Sequence, residues 1–193
     1  MGWSVVQQLL AYFLTVLGVL LVHATIVYGS AITVFTRLNP ITFLMNVRPA
    51  MLFAFSTASS AATLPITLRT AETRLGVSKS VASFTLPLGA TINMDGTAIM
   101  QGVATVFIAQ AYGLDIGLSG YLLVVLTATM ASIGTAAVPG VGLITLAMVL
   151  AQVNLPVEGI ALIIGVERLL DMVRTAVNVT GDCAVSTIVA NSE

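Results

Sequence analysis

The chain has 193 residues, 58% of them hydrophobic and 8% charged, with a formal net charge of -1 and a mean hydropathy of +1.05. A soluble domain carries about 25% charged residues; this chain lacks the polar surface to cover a water-facing exterior and reads as an all-α integral membrane protein in contact with a lipid bilayer. With no basic run and no basic patch interleaved with aromatics, nucleic acid is excluded as a partner, and a single cysteine, Cys183, excludes an internal disulfide or a cysteine metal site and reads as a small buried hydrophobe.

In chain order, the first element runs over about 8–36. At 1.5 Å per residue it is long enough to cross about 30 Å of hydrocarbon with some tilt. The amino end lacks the positive n-region of a signal peptide, so a retained transmembrane helix is predicted. His23 lies inside that run, where a hydrogen-bonded packing role is expected over a proton relay. After Asn39-Pro40, an apolar stretch over about 42–72 is interrupted by STASSAATLP, 56–65. Each arm is then about a dozen residues, too short to cross, which predicts a re-entrant helical hairpin.

A helix over about 77–112 follows, broken at NMDGTAIMQG, 93–102, where a carboxylate and a helix-weakening glycine stand among apolar residues. A second re-entrant hairpin is predicted over about 119–152, its tip at SIGTAAVPGVG, 132–142. The last helix, about 156–190, carries ERLLDMVRTAVNVTGD in its middle. Two hairpins, each followed by a helix with buried polar residues, suggest the inverted repeat of secondary transporters. Arg37, Arg48, Arg69, Arg74 and Lys79 are assigned to the loops flanking the first hairpin, and only Asp115 and Glu158 to those flanking the second. By the positive-inside bias the first hairpin enters from the cytoplasm and the second from outside, so that their tips meet near the midplane.

On the last helix Asp171, Arg174, Asn178 and Asp182 are spaced by 3, 4 and 4, which confines them to one narrow stripe. Ionisable groups at that depth cost about 3 kcal/mol each and face a cavity with partners. A self-neutralising Asp171–Arg174 pair is the alternative, but Thr175, Asn178 and Asp182 extend the stripe beyond what one pair needs. Glu167, at the extracellular-side end of the helix, reads as a solvated acid, or one that supports the ligand residues from behind, rather than as a ligand. In the broken helix, unwound carbonyls at Gly89 and Asn93, with Asn178 and Asp182, are suited to caging sodium, since hard cations take oxygen ligands. The other reading of the break is a kink whose Asp95 pairs with an arginine. The first tip, Ser59 to Ala62, offers hydroxyls and half-helix ends that favour anions. The second tip, Ala136 to Gly142, has enough glycine to act as a gate, and both tips also fit close packing of small residues.

Together, STASSAATLP, TLPLGATINMDGTAIMQG, ASIGTAAVPGVG and DMVRTAVNVTGD resemble the dicarboxylate/amino acid:cation symporter family, the glutamate and aspartate transporters, from about residue 10 onward. The resemblance implies the carboxyl-terminal part of a transport domain: transmembrane helix 6, hairpin 1, helix 7, hairpin 2 and helix 8. The five helices with which family members begin, which form most of a trimeric scaffold, are absent, so the chain is expected to be a fragment or a truncated reading frame. It implies that Arg174 binds the substrate side-chain carboxylate, as suits a guanidinium fork, that Asp171 binds the amino group, and that Thr175 and Asn178, with Ser60, Thr97, Val138 and Gly142, hold the remainder. One sodium site would use backbone oxygens of Gly89, Asn93 and Asn178 with the Asp182 carboxylate. A second would use Thr91 and Met94 with carbonyls of Ser132, Ile133 and Thr135. A third would use Asn93 and Asp95, completed by a helix outside this chain. Many members carry an arginine either in the hairpin 1 tip, where this sequence has Ala58, or just after the helix 8 aspartate, where it has Met172, and Gln101 stands where potassium-countertransporting members have Glu.

The expected function is sodium-coupled uptake of aspartate or glutamate across the cell membrane by alternating access, with no enzymatic activity and no cofactor beyond sodium as coupling ion. C4-dicarboxylate or neutral amino-acid symport are alternatives within the family: Asp171 favours an amino-bearing substrate and Arg174 an acidic one. An intramembrane aspartyl protease needs two facing carboxylates, yet Asp171 and Asp182 lie about three turns apart, some 16 Å along one helix. An ion channel fits less well, because the polar groups are too varied for a filter ring.

Overall fold

The computed structural model describes residues Gly2–Glu193, and every regular element among them is helical. Helix α1 (Gly2–Val22) runs through a π-helical segment, His23–Tyr28, into α2 (Gly29–Thr36). Val5–Thr36 forms one rod of 32 residues, long and apolar enough to span a membrane at about 1.5 Å per residue. The uninterrupted α-helix expected here therefore changes its hydrogen-bond period half-way without losing continuity. Arg37, in a left-handed conformation at φ 60°, ends the rod, and Asn39 caps the next helix by accepting from Ile41 N at 2.8 Å.

The first hairpin pairs α3 (Pro40–Thr57) with α4 (Ser60–Arg74), arms of 18 and 15 residues. They are longer than the dozen expected because the hydroxyls read as an interruption are absorbed by the helix. Thr63 Oγ1 donates to Ser59 O at 2.7 Å and Thr67 Oγ1 to Thr63 O at 3.1 Å, the back-bonding that lets Ser and Thr sit in buried helices. Only Ala58, at φ 51°, and Ser59, which caps α4 by accepting from Ala62 N, break the helix. Arg48 and Arg69 lie on exposed faces of α3 and α4 and not in the flanking loops, whereas Arg37, Arg74 and Lys79 do mark element ends.

The broken helix consists of α5 (Lys79–Ile92) and α6 (Asp95–Ala111), separated by Asn93 and Met94 in non-helical conformations. The second hairpin pairs α7 (Gly117–Ser132) with α8 (Val141–Gln152), and its tip turns on Gly134 and Gly140, both near φ 78–79°. A 3-10 turn at Val157–Leu162 leads into α9 (Ile164–Ser192), the longest helix.

Helix α9 is the spindle of the fold: α3 and α5 pack broadly along it, and α1, α2, α4 and α6 complete its surroundings. The second hairpin instead packs mainly on α6. One apolar cluster joins Tyr12, Val16 and Leu20 to Met100, Ile108, Leu146 and Leu170, and another joins Ile32, Phe43 and Val47 to Val179 and the fully buried Cys183. The exterior is apolar too, with Phe84, Leu118, Leu126, Ile144 and Met148 all exposed, while Glu167, Asp171, Arg174, Asn178 and Asp182 are buried. An apolar exterior with the ionisable groups inside is the arrangement that the cost of charge in hydrocarbon would dictate.

Candidate substrate and cation site

The cleft forms where the hairpin tips meet the break in α5–α6 and the middle of α9. Ser59 Oγ donates to Ala137 O at 2.7 Å, and Ala61 N reaches the same carbonyl at 3.4 Å, so the tips are latched together. Beneath the latch, Ser60, Thr97, Val138, Asp171, Arg174, Thr175 and Asn178 line one cavity with Ala58 and Met94. Gly142 does not line it but supports its floor: a Cβ there would stand 2.8 Å from Arg174 Nη2. The cavity measures ≈ 20 Å³, room for about one water. The cleft is closed in this conformation.

Arg174, 2% exposed, is the centre of the site. Its Nη2 lies 2.6 Å from Asp171 Oδ1 and its Nη1 2.9 Å from Glu167 Oε1. The Asp171–Arg174 pair weighed from spacing is present, but it is open at both ends, because Asp171 Oδ2 also accepts from Gly140 N of the second hairpin at 3.0 Å. Glu167 is 4% exposed, which overturns its reading as a solvated acid and leaves the other reading, an acid that backs a ligand residue, here Arg174. It stands seven residues before Arg174, two helical turns along the same stripe, and that spacing was the signal for it. Thr175 Oγ1 bonds back to Asp171 O, and Asn178 Oδ1 accepts from Gly96 N at 2.8 Å. A Cβ at Gly96 would stand 2.8 Å from Arg174 Cγ, so only glycine lets the start of α6 come this close to α9.

The residues expected around cations fall into three groups. Gly89, Asn93, Asn178 and Asp182 converge: Asn93 Nδ2 donates to Asp182 Oδ1 at 2.9 Å and to Asn178 O at 3.2 Å, and Gly89 abuts the Asp182 carboxylate. The Gly89 carbonyl is not free, as the sequence suggested, but accepts from Asn93 N at 2.8 Å. Thr91 O accepts from Gly134 N at 2.9 Å, which sets the end of α5 against the Ser132, Ile133 and Thr135 stretch, while Met94 turns its sulfur to Asn178 and Thr97. Asn93 and Asp95, expected to share a site, make no direct hydrogen bond to each other, but both approach the Tyr28 hydroxyl and both border one groove. Asp95 meets no arginine; His23 Nε2 and Tyr28 Oη both lie 3.0 Å from its Oδ2. His23 thus has a hydrogen-bonded place, and Tyr28 is a partner that sequence reasoning missed. Gly89, Asn93, Asp95, Ser132, Ile133 and Asp182 also border a groove of ≈ 710 Å³ along α5 and α7.

Four motifs that lie far apart in the chain thus surround one buried guanidinium. The model of the sodium:dicarboxylate symporter family matches residues 1–192. The chain belongs to this family. It is similar to excitatory amino acid transporter 3 of Mus musculus, 47% identical over 180 residues, 93% of this chain and 34% of the relative. It is similar to excitatory amino acid transporter 2 of Rattus norvegicus, 47% identical over 178 residues, 92% and 31% respectively. An excitatory amino acid transporter of Caenorhabditis elegans is 47% identical over 176 residues, 91% and 35%. The chain spans about a third of the length of these curated relatives. Ala58 is buried at the first tip, Met172 is half-buried on α9, and Gln101, fully buried, donates to Thr145 of the second hairpin.

Proposed function

We propose that this chain carries the substrate and cation sites of a sodium-coupled symporter of acidic amino acids, aspartate or glutamate, in the cell membrane. The observation that carries this reading is the placement of Arg174: one guanidinium, buried at the junction of two hairpin tips, a broken helix and α9, and flanked by two carboxylates. Its forked donors suit a substrate carboxylate bidentately. Asp171 then takes the substrate ammonium, and Ser60, Thr97, Val138, Gly142, Thr175 and Asn178 enclose the rest. Entry requires the second hairpin to lift, because the closed cavity is far smaller than an amino acid, and lifting it breaks the Gly140–Asp171 and Ser59–Ala137 bonds.

Sodium serves as a transported co-substrate. Gly89, Asn93, Asn178 and Asp182 supply oxygens for one ion; Thr91, Met94, Ser132, Ile133 and Thr135 for a second; Asn93 and Asp95 part of a third. The elements correspond in this reading to transmembrane helix 6 (α1–α2), hairpin 1 (α3–α4), helix 7 (α5–α6), hairpin 2 (α7–α8) and helix 8 (α9). The complete transporter adds a scaffold and assembles as a homotrimer in the bilayer.

The test is uptake of radiolabelled aspartate, glutamate and succinate into proteoliposomes of the full-length protein under an inward sodium gradient. Sodium-dependent uptake of the amino acids in preference to succinate is expected. Succinate preferred over both would move the assignment to a dicarboxylate carrier, and sodium-independent flux would overturn the coupling.

A further inference from the structure

The π-helical segment His23–Tyr28 is the one irregular stretch of an otherwise continuous transmembrane rod. Single π turns inside α-helices concentrate at functional sites. In an α-helix, residues five apart diverge by about 140°, since each step turns about 100°. With i→i+5 hydrogen bonding, residues five apart stand on one face. His23 and Tyr28 are five apart, and their rings meet edge to face with centroids 4.7 Å apart. Both polar tips then converge on a single atom, Asp95 Oδ2, each at 3.0 Å.

Asp95 opens α6 directly after the break and borders the large groove. Its Oδ1 enters no hydrogen bond among the described residues. Two donors on one oxygen fix the rotamer and leave the other oxygen for a positive ligand. Tyr28 is itself tightly placed: it is 6% exposed, and a Cβ at Gly181 would collide with its hydroxyl and with Asn93 Nδ2. The bare Cα of Gly181, next to Asp182, leaves the gap through which the hydroxyl reaches Asp95.

We infer that Tyr28 and His23, brought to one face by the π-helical segment, are positioning residues for Asp95 that set the affinity for the coupling sodium without touching the amino-acid substrate. The inference rests on the proposed sodium-coupled transport. It deepens that reading by extending a cation site to a helix on which the sequence marked no ligand.

The experiment compares sodium half-saturation of aspartate uptake in the full-length protein and its variants, alongside aspartate affinity at saturating sodium. Tyr28→Phe removes one oxygen and keeps the ring packing. It is expected to raise the sodium half-saturation about tenfold, the effect of losing one hydrogen bond to a carboxylate, with aspartate affinity at saturating sodium changed by less than about twofold. His23→Leu should act likewise, whereas His23→Gln keeps an N–H donor and should restore a near-native midpoint. In an Asp95→Asn background, Tyr28→Phe should add no further shift, which a merely structural role would not reproduce. A sodium midpoint unmoved by Tyr28→Phe, or an equal loss in both parameters, overturns the inference while the transport reading stands. Wild-type protein with sodium-independent uptake overturns both.

Discussion

Arg174 Nη1 lies 2.9 Å from Glu167 Oε1, two turns back along α9, and the same guanidinium holds Asp171 with its other arm. All three groups are buried, so one guanidinium is shared between two acids and can offset the charge of only one of them. Truncating it leaves both carboxylates uncompensated. Arg174→Ala is therefore expected to cost about 3–5 kcal/mol of stability, the usual loss on breaking a buried pair, and to abolish aspartate uptake. Arg174→Lys keeps the charge but not the fork and should recover stability more than uptake. Thermal unfolding in detergent and proteoliposome uptake separate the two effects; aspartate uptake by Arg174→Ala at the wild-type rate would refute the binding role.

In the proposed binding mode an incoming substrate carboxylate has to compete with Glu167 for Nη1. Glu167→Gln removes that competition while keeping most of the side-chain volume. The expected result is tighter aspartate binding, by about threefold to tenfold, in a protein less stable by about 1–3 kcal/mol. Equilibrium binding at saturating sodium reads the first change and denaturation the second. Weaker binding would mean that Glu167 orients the guanidinium for substrate.

Gly142 backs onto the same group. A methyl at this position would stand 2.8 Å from Arg174 Nη2 and 3.0 Å from Met100 Cε. Because two carboxylates hold the guanidinium, it cannot yield freely, and overpacking of this kind costs about 1–3 kcal/mol. Gly142→Ala should weaken aspartate binding by about tenfold or more, measured by isothermal titration with sodium in excess.

The latch between the tips is open to a labelling test. Ser59 Oγ contributes one hydrogen bond across it and also caps α4, contributions of about 1 kcal/mol each. Ser59→Ala should raise the rate at which a reporter cysteine, Ala137→Cys, reacts with an aqueous thiol reagent by about fivefold. The native Cys183 is fully buried and contributes little background. An unchanged rate would show that the latch does not hold the tip closed.

Ala58 occupies a left-handed conformation at φ 51°, which costs a non-glycine residue about 1–2 kcal/mol. Glycine gives back part of that gain through the greater freedom of its unfolded chain. A net rise of about 0.5–1 kcal/mol is expected for Ala58→Gly, visible as a higher melting temperature.

The sequence announced the breaks better than the lengths. Asn93-Met94 and the glycines of the second tip interrupt helices where their chemistry says they should. The first hairpin was harder to read, because a hydroxyl run looks like a loop until its oxygens find the carbonyls four residues back. Spacing on α9 placed Asp171, Arg174, Asn178 and Asp182 on one stripe, and extending it by one turn would have included Glu167. The pairing of His23 with Tyr28 was out of reach, since α-helical periodicity sends the two residues to different faces and nothing in HATIVY advertises a change of period. Likewise, no pattern in the sequence shows that Asn93 donates to Asp182.

Because the second hairpin rests mainly on α6 while the other major helices grip α9, it can hinge outward as a leaf on a closed book. The spine and the remaining pages keep their contacts when it moves. Under the proposed function, that makes the second hairpin the element whose movement would uncover Arg174 while the packing around α9 stays intact.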